Sequence, residues 1–187
     1  MDIPTIETQH LILRAWAPQD AEAWFHILQE EGILRYFPNP NPPARAKAGD
    51  YIAHHLQHWT GFGYGHWAVV TCEDGRVVGW DGLEYLSELK QTEVAYLLSK
   101  SVWGRGYATE AARAAIRFGF EAAGLDEIIG LVHPDNIGSV RVLEKCGMTF
   151  ADRLTLWGLE MSRYRIGRAA YDRTRLRERV ELQTPGN

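Results

Sequence analysis

The segment Trp103-Gly104-Arg105-Gly106-Tyr107-Ala108 has the residue types of an anion site. Gly104 and Gly106 lack Cβ atoms, so the chain can bend tightly there and a ligand can approach the backbone closely. A helix starting at about Ala108 leaves its first N–H groups without intrahelical partners, and its dipole adds positive potential at the same place. Arg105 adds a full charge at the mouth. Together these features would cradle a phosphate or pyrophosphate. Two glycines so close also make an ordinary turn, and alone they fit that reading at least as well. Two other phosphate motifs fail. No Gly-Lys-Ser/Thr is present, and Thr109 stands where a dinucleotide fingerprint needs its third glycine.

Other reactive side chains carry less. His54 and His58 have the i, i+4 spacing of one helix face, with His55 beside them. A metal site needs a third ligand and supporting hydrogen bonds. No HExxH pattern or cysteine pair accompanies these histidines, so a solvated helix face is expected and no metal is implied. Cys72 and Cys146 allow one disulfide by count, but so few cysteines point to a reducing compartment. Cys146 sits at a helix end with no base beside it and is not read as a nucleophile.

The elements that must position the loop follow from periodicity and breakers. Leu11 to Arg14 reads as a strand. Ala21, Trp24, Phe25 and Leu28 have helical spacing after Pro18, as do Ala48, Tyr51, Ile52, His55, Leu56 and Trp59 after the Pro38–Pro43 loop. His66–Thr71 and Arg76–Leu83 form a hairpin around Glu73-Asp74-Gly75. Glu93–Leu98 is a further strand, and Glu127–Val132 another. Between them a helix runs from about Ala108 to Ala123, with Gly124 as its stop. Its stripe of Ala108, Ala112, Ala115, Ile116, Gly119, Phe120 and Ala123 lets it lie close to a sheet, while Glu110, Arg113, Arg117 and Glu121 fall on the other side. A right-handed crossover makes the two flanking strands parallel. Ile137–Lys145 is helical, and two strands lie between Thr149 and Ile166 with Trp157-Gly158 near their turn.

In this order the motifs strongly resemble the GNAT (Gcn5-related N-acetyltransferase) superfamily. The likeness rests on Glu93–Leu98, on Trp103–Ala111 and on Asn136–Met148, and spans about residues 6 to 166. Thr8–Arg14 adds a likeness to the RimJ/RimL branch. The resemblance implies an α/β (α+β) fold: a mixed, mostly antiparallel sheet of about six or seven strands with about four helices. Its fourth and fifth strands would be parallel and splayed. Residues 1–187 would form one acetyltransferase domain, with a core of about 6–166 and a C-terminal extension, 167–187.

The resemblance also implies roles. The backbone of Tyr96, Leu97 and Leu98 would bind the pantetheine arm and thioester carbonyl of acetyl-coenzyme A. Gly104, Arg105, Gly106, Tyr107, Ala108 and Thr109 would bind its pyrophosphate. Asn136, a residue type that also caps helices, would contact the coenzyme arm, and Ser139 would sit near the sulfur. The acceptor would be a primary amine, either a protein N-terminus or a small molecule. An attacking amine must lose a proton, and Glu93, Glu84, Glu160 and His133 are candidate bases, directly or through water. Tyr36, Phe37, Trp80 and Tyr85 are candidates for the acceptor pocket. Leu143 replaces a tyrosine that many relatives use to protonate the departing thiolate, which leaves Ser139 for that step. It also leaves open a second reading, a non-catalytic acyl-coenzyme A sensor on the same fold.

A formal net charge of −4, with basic residues concentrated only in the tail Arg163–Arg179, argues against a nucleic-acid footprint. That tail could meet an acidic partner or form an exposed terminal element. No apolar stretch approaches the ~20 residues of a membrane span, and the first residues lack a signal peptide's pattern. A cytoplasmic monomer or homodimer is expected, with no membrane partner.

Overall fold

The computed structural model describes residues 2–173. In chain order the elements are β1 (Ile6–Glu7), β2 (Leu11–Arg14), α1 (Asp20–Leu28), α2 (Ala48–Phe62), β3 (His66–Thr71), β4 (Val77–Leu86), β5 (Gln91–Leu98), α3 (Tyr107–Glu121), β6 (Glu127–Val132), α4 (Ile137–Lys145), β7 (Thr149–Leu156) and β8 (Leu159–Gly167). The strands form one sheet in the order β1-β2-β3-β4-β5-β6-β8-β7. Every pairing is antiparallel except β5–β6.

The sheet is therefore eight-stranded rather than six- or seven-stranded. Ile6 and Glu7 pair with Leu13 and Ile12 at one edge, a segment too short to show a period. β4 also runs on to Leu86, which brings Glu84 inside the strand.

Each face of the sheet has its own core. On one, α3 buries Ala111, Ala112, Ala115, Ile116, Gly119 and Phe120. A Cβ on Gly119 would lie 2.7 Å from Ile128 Cδ1 and 2.9 Å from Leu83 Cδ1, so a glycine here sets how closely the helix approaches. On the other, Trp16, Trp24 and Ile52 pack with Ala68, Trp80 and Leu97 beneath α1 and the start of α2. The buried Asp20 anchors the start of α1: its carboxylate takes two hydrogen bonds from Arg14, at 2.7 and 2.9 Å, and one from Ala17 N–H.

Two polar expectations change. Glu110 is not a solvated charge on the outer side of α3. It accepts from Thr8 Oγ1, His10 N–H and His10 Nδ1, tying the N-terminal segment to the helix's first turn. Two arginines at the start of the basic tail, Arg163 and Arg168, are partly buried and paired, while Arg165 is exposed. Arg163 pairs with Asp152 across β7 and β8, and Arg168 donates to Phe120 O and Leu125 O at the end of α3. Residues 174–187 lie outside the described part. Cys72 and Cys146 are both free thiols, one exposed and one buried. No helix among the described residues is long and apolar enough to cross a membrane.

Candidate active site

Between β5 and β6 the paired register consists of one position, Glu93 opposite Ile129. Beyond it the strands part, and two clefts meet at the gap.

The first cleft, of about 390 Å³, lies between the end of β5, the start of α3 and α4. Tyr96, Leu97, Leu98, Gly104, Gly106, Tyr107, Ala108, Thr109 and Asn136 line it. Gly104 and Gly106 have φ of 76° and 85°, and Gly106 is the residue that caps α3. These values fall in the left-handed region, which costs an L side chain about 1–2 kcal/mol. Among the described residues, chain neighbours apart, no atom lies within 4 Å of a Cβ built on either glycine, so the space above the loop is open. Conformation, not crowding, requires glycine here, and the helix's first N–H groups face that space.

Arg105 departs from expectation. It is absent from the cleft wall, its guanidinium bonding Glu73 at 3.3 Å and lying over the Tyr107 ring. The cations that line the cleft are Arg141 and Lys145 of α4. Their i, i+4 spacing on the helix that begins at Asn136 was the available signal. Trp103 donates its indole N–H to Leu98 O at 2.7 Å, which takes one of that carbonyl's two acceptor positions. Asn136 acts as a cap, its Oδ1 accepting from Ser139 N–H at 3.2 Å.

The second cleft, of about 510 Å³, opens on the other face, under the loop between α1 and α2. Its wall includes Tyr36, Phe37, Trp80, Glu84, Glu93, His133 and Trp157. Tyr85 is not part of it; its ring stacks on Phe62. Glu160, opposite Thr155 on the β7–β8 hairpin, is exposed and also outside the wall. His133 packs against Tyr36 with the rings tilted by 31°, and the Tyr36 hydroxyl donates to Asp135 O, holding the α1–α2 loop against the loop after β6.

Glu93 is 8% exposed and accepts Leu131 N–H at 3.0 Å. Burial, with the carboxylate of Glu84 opposite, pushes its pKa up to about 8. Tyr96, Ser139 and Phe37 line both clefts. The Tyr96 hydroxyl lies 2.8 Å from Ser139 Oγ. Burial raises the Tyr96 phenol well above its ordinary range, so it stays protonated. Leu143 is buried with its methyl groups over Gly130 and offers no proton. Cys146 is buried, and its thiol is pushed up to about 12.

The histidines do not form a solvated face. His54 is exposed, but His55 is buried in the second cleft, with its Nδ1 3.1 Å from Nδ1 of the buried His66. His58 bridges Tyr64 O and Tyr85 N. Among the described residues no group of three or more His, Cys, Asp or Glu is arranged to hold a metal.

Residues 10–149 match the protein family described as an acetyltransferase (GNAT) domain. The uncharacterized N-acetyltransferase YoaA of Bacillus subtilis is 30% identical over 148 residues, covering 77% of this chain and 82% of its own. The crystal structure of an acetyltransferase from Agrobacterium tumefaciens aligns with a TM-score of 0.77 at 28% identity, over 90% of this chain and 96% of that one. The aminoglycoside acetyltransferase AAC(6′)-Ib, solved with coenzyme A, shares the fold at a TM-score of 0.74 and 18% identity, over 88% of this chain and 99% of that one. With a splayed parallel pair, a glycine cradle at the start of α3 and this match over most of its length, the chain belongs to the GNAT acetyltransferase family.

Proposed function

We propose that the protein transfers an acetyl group from acetyl-coenzyme A to a primary amine by direct attack, within the RimJ/RimL-like branch. The observation that carries this reading is the meeting of two clefts at Tyr96 and Ser139, with the buried carboxyl of Glu93 in the second. The first cleft suits the donor. Its open glycine cradle and the N–H groups of α3 fit a pyrophosphate, with Arg141 and Lys145 on the wall for further phosphate charge. When bound, the coenzyme supplies an acetyl group activated as a thioester.

The chain's own residues handle the protons. Glu93, as carboxylate, takes the proton the amine loses, directly or through one water. Beyond Glu93, β5 has no ladder to β6, so main-chain N–H groups near Tyr96 and Leu97 can polarise the acyl carbonyl. As the new C–N bond forms and the C–S bond breaks, the sulfur needs a proton. Ser139 supplies it. The Tyr96 hydroxyl reaches both Ser139 O, at 3.3 Å, and Ser139 Oγ, at 2.8 Å; turned to donate to Oγ, it leaves the serine proton directed elsewhere and stabilises charge growing on that oxygen.

The test follows release of free coenzyme A with a panel of primary amines, from N-terminal peptides to small amines. Turnover with at least one amine supports the reading. Tight acetyl-coenzyme A binding with no turnover on any amine would sink it and leave the acyl-coenzyme A sensor.

A further inference from the structure

The acceptor cleft holds more carboxylate than the removal of one proton requires. Glu84 and Glu93 stand directly opposite each other on β4 and β5, and both line the cleft. Residues so placed have Cβ atoms about 4.5–5.5 Å apart, where two like charges repel. Glu93 is buried and has Leu131 N–H as a partner. Glu84 is only partly buried, and among the described residues no arginine or lysine lines the cleft to balance it.

What surrounds Glu84 is imidazole. His54 Nε2 and His66 Nε2 each lie 3.7 Å from one of its oxygens, beyond hydrogen-bonding distance. His66 is 3% exposed and His55 is 7% exposed. The Nε2 atoms of both are buried without a hydrogen-bond partner among the described residues. Burial, reinforced by the neighbouring imidazoles, lowers the pKa of both rings, so both are neutral at pH 7. Their Nδ1–Nδ1 hydrogen bond consumes one proton, so together they present one Nε2–H and one bare Nε2. With Glu84 nearest His66 Nε2, the N–H belongs to His66. At 3.7 Å that N–H faces the carboxylate without a hydrogen bond and does not cancel its charge.

The rest of the wall mixes aromatic and aliphatic side chains. Tyr51, Trp80 and Trp157 present π systems, and Trp80 stacks on His66 at 4.3 Å. Aromatic faces and an uncompensated carboxylate both favour a cation and disfavour an anion.

Resting on the acetyltransferase reading above, we infer that Glu84 holds a second cationic group of the acceptor. The substrate class is then a diamine or similarly basic amine, whose one nitrogen is acetylated near Glu93 and Tyr96 while another stays charged at Glu84. An ammonium there would also weaken the repulsion that Glu84 imposes on Glu93, which helps Glu93 give up its own proton and act as base.

The experiment compares three acceptors of equal chain length: 1,4-diaminobutane, 1-aminobutane and 4-aminobutanoate. Coenzyme A release gives kcat/KM, and calorimetry gives the affinity of the diamine whether or not it turns over. A charge-assisted hydrogen bond predicts kcat/KM for the diamine about 10- to 100-fold above the monoamine, with the amino acid lowest. In Glu84→Gln the diamine-to-monoamine ratio should collapse towards one, while Glu84→Asp should keep part of it. Unchanged acetyl-coenzyme A affinity and thermal midpoint would show that these variants fold. Equal kcat/KM for all three acceptors, a ratio unaltered by Glu84→Gln, or no calorimetric binding of the diamine would each overturn the inference. Diamine binding that depends on Glu84 without any acetyl transfer would instead keep the inference and overturn the acetyltransferase reading.

Discussion

At the scale of the residue, the site depends on carboxyl groups whose surroundings set their protonation. Glu93 is neutral below about pH 8 because of burial and the facing Glu84. If it is the base, kcat/KM measured with a weakly basic amine should fall about tenfold per pH unit below that value. Glu93→Gln should lose this limb and about 10²- to 10⁴-fold in rate. The same shift has a consequence for stability. The folded pKa lies above the ordinary value of 4.5, so the contribution of this group is fully present below pH 4.5 and is lost as pH rises towards 8. The thermal midpoint of Glu93→Gln should therefore gain on the wild type between pH 5 and pH 8; parallel curves would refute the burial argument. Asp81 offers a second case. It is 0% exposed, neither oxygen has a partner among the described residues, and burial pushes its pKa well above the usual range. Asp81→Val removes an unsatisfied group and suits a strand, so chemical denaturation should show a gain of about 1–3 kcal/mol. A loss of that size would mean that a bound water satisfies Asp81. Little of this was legible in the sequence. Glu93 came first there, but Glu84, Glu160 and His133 stood as rivals, because exposure depends on which strands flank β5 and where a hairpin ends. His55 misled for the same reason: α2 periodicity marks its core face, but not that His66 of β3 lies beneath it.

At the scale of the element, the donor cleft is a product of how α3 begins. Gly106 at φ 85° caps the helix, and replacing it with alanine forces a Cβ into the left-handed region. Gly106→Ala should cost about 1–2 kcal/mol in stability and weaken acetyl-coenzyme A binding by about tenfold or more if the loop keeps its shape only under strain. Unchanged affinity would remove the loop from the binding site. Charge gives a paired test. Arg141→Ala and Lys145→Ala should each weaken coenzyme binding, with an effect that shrinks at high salt, whereas Arg105→Ala should leave it nearly unaltered because that guanidinium is spent on Glu73. The element order was largely readable, since glycine stops and apolar periods are local signals. The loop's glycines and the small-faced helix were found this way. The direction of a side chain such as Arg105 was not, because Glu73 is distant in sequence and meets it only through the β3–β4 turn. The two-residue β1 escaped because its identity as a strand comes from pairing with β2 rather than from any pattern of its own.

At the scale of the whole molecule, distant segments meet to close the acceptor cleft. Tyr36 ties the α1–α2 loop to Asp135. On the opposite side Trp157, at the tip of the β7–β8 hairpin, donates its indole N–H to Glu88 Oε1 at 3.2 Å in the turn between β4 and β5. Trp157 lines the cleft and is one of two non-glycine residues among those described with positive φ, 52°. A bulky side chain held in that region is strained, and surrounding structure must hold it there. The hydrogen bond to Glu88 and the ring's place in the cleft wall account for its position. The sequence marked Trp157-Gly158 as a turn, yet nothing local links it to Glu88, since β8 must first be inserted beside β6 to bring the hairpin over the cleft. Trp157→Ala keeps the backbone requirement while removing both the wall and the latch. It should raise KM for the acceptor by about tenfold, in line with the loss of an aromatic contact and a hydrogen bond. Affinity for acetyl-coenzyme A should stay within about twofold, because Trp157 does not line the donor cleft. Initial rates against acceptor concentration, alongside calorimetry with the coenzyme, separate the two effects. Equal losses on both sides would mean that the hairpin supports the fold as a whole, whereas a loss confined to the acceptor would make its tip the outer wall of the amine site.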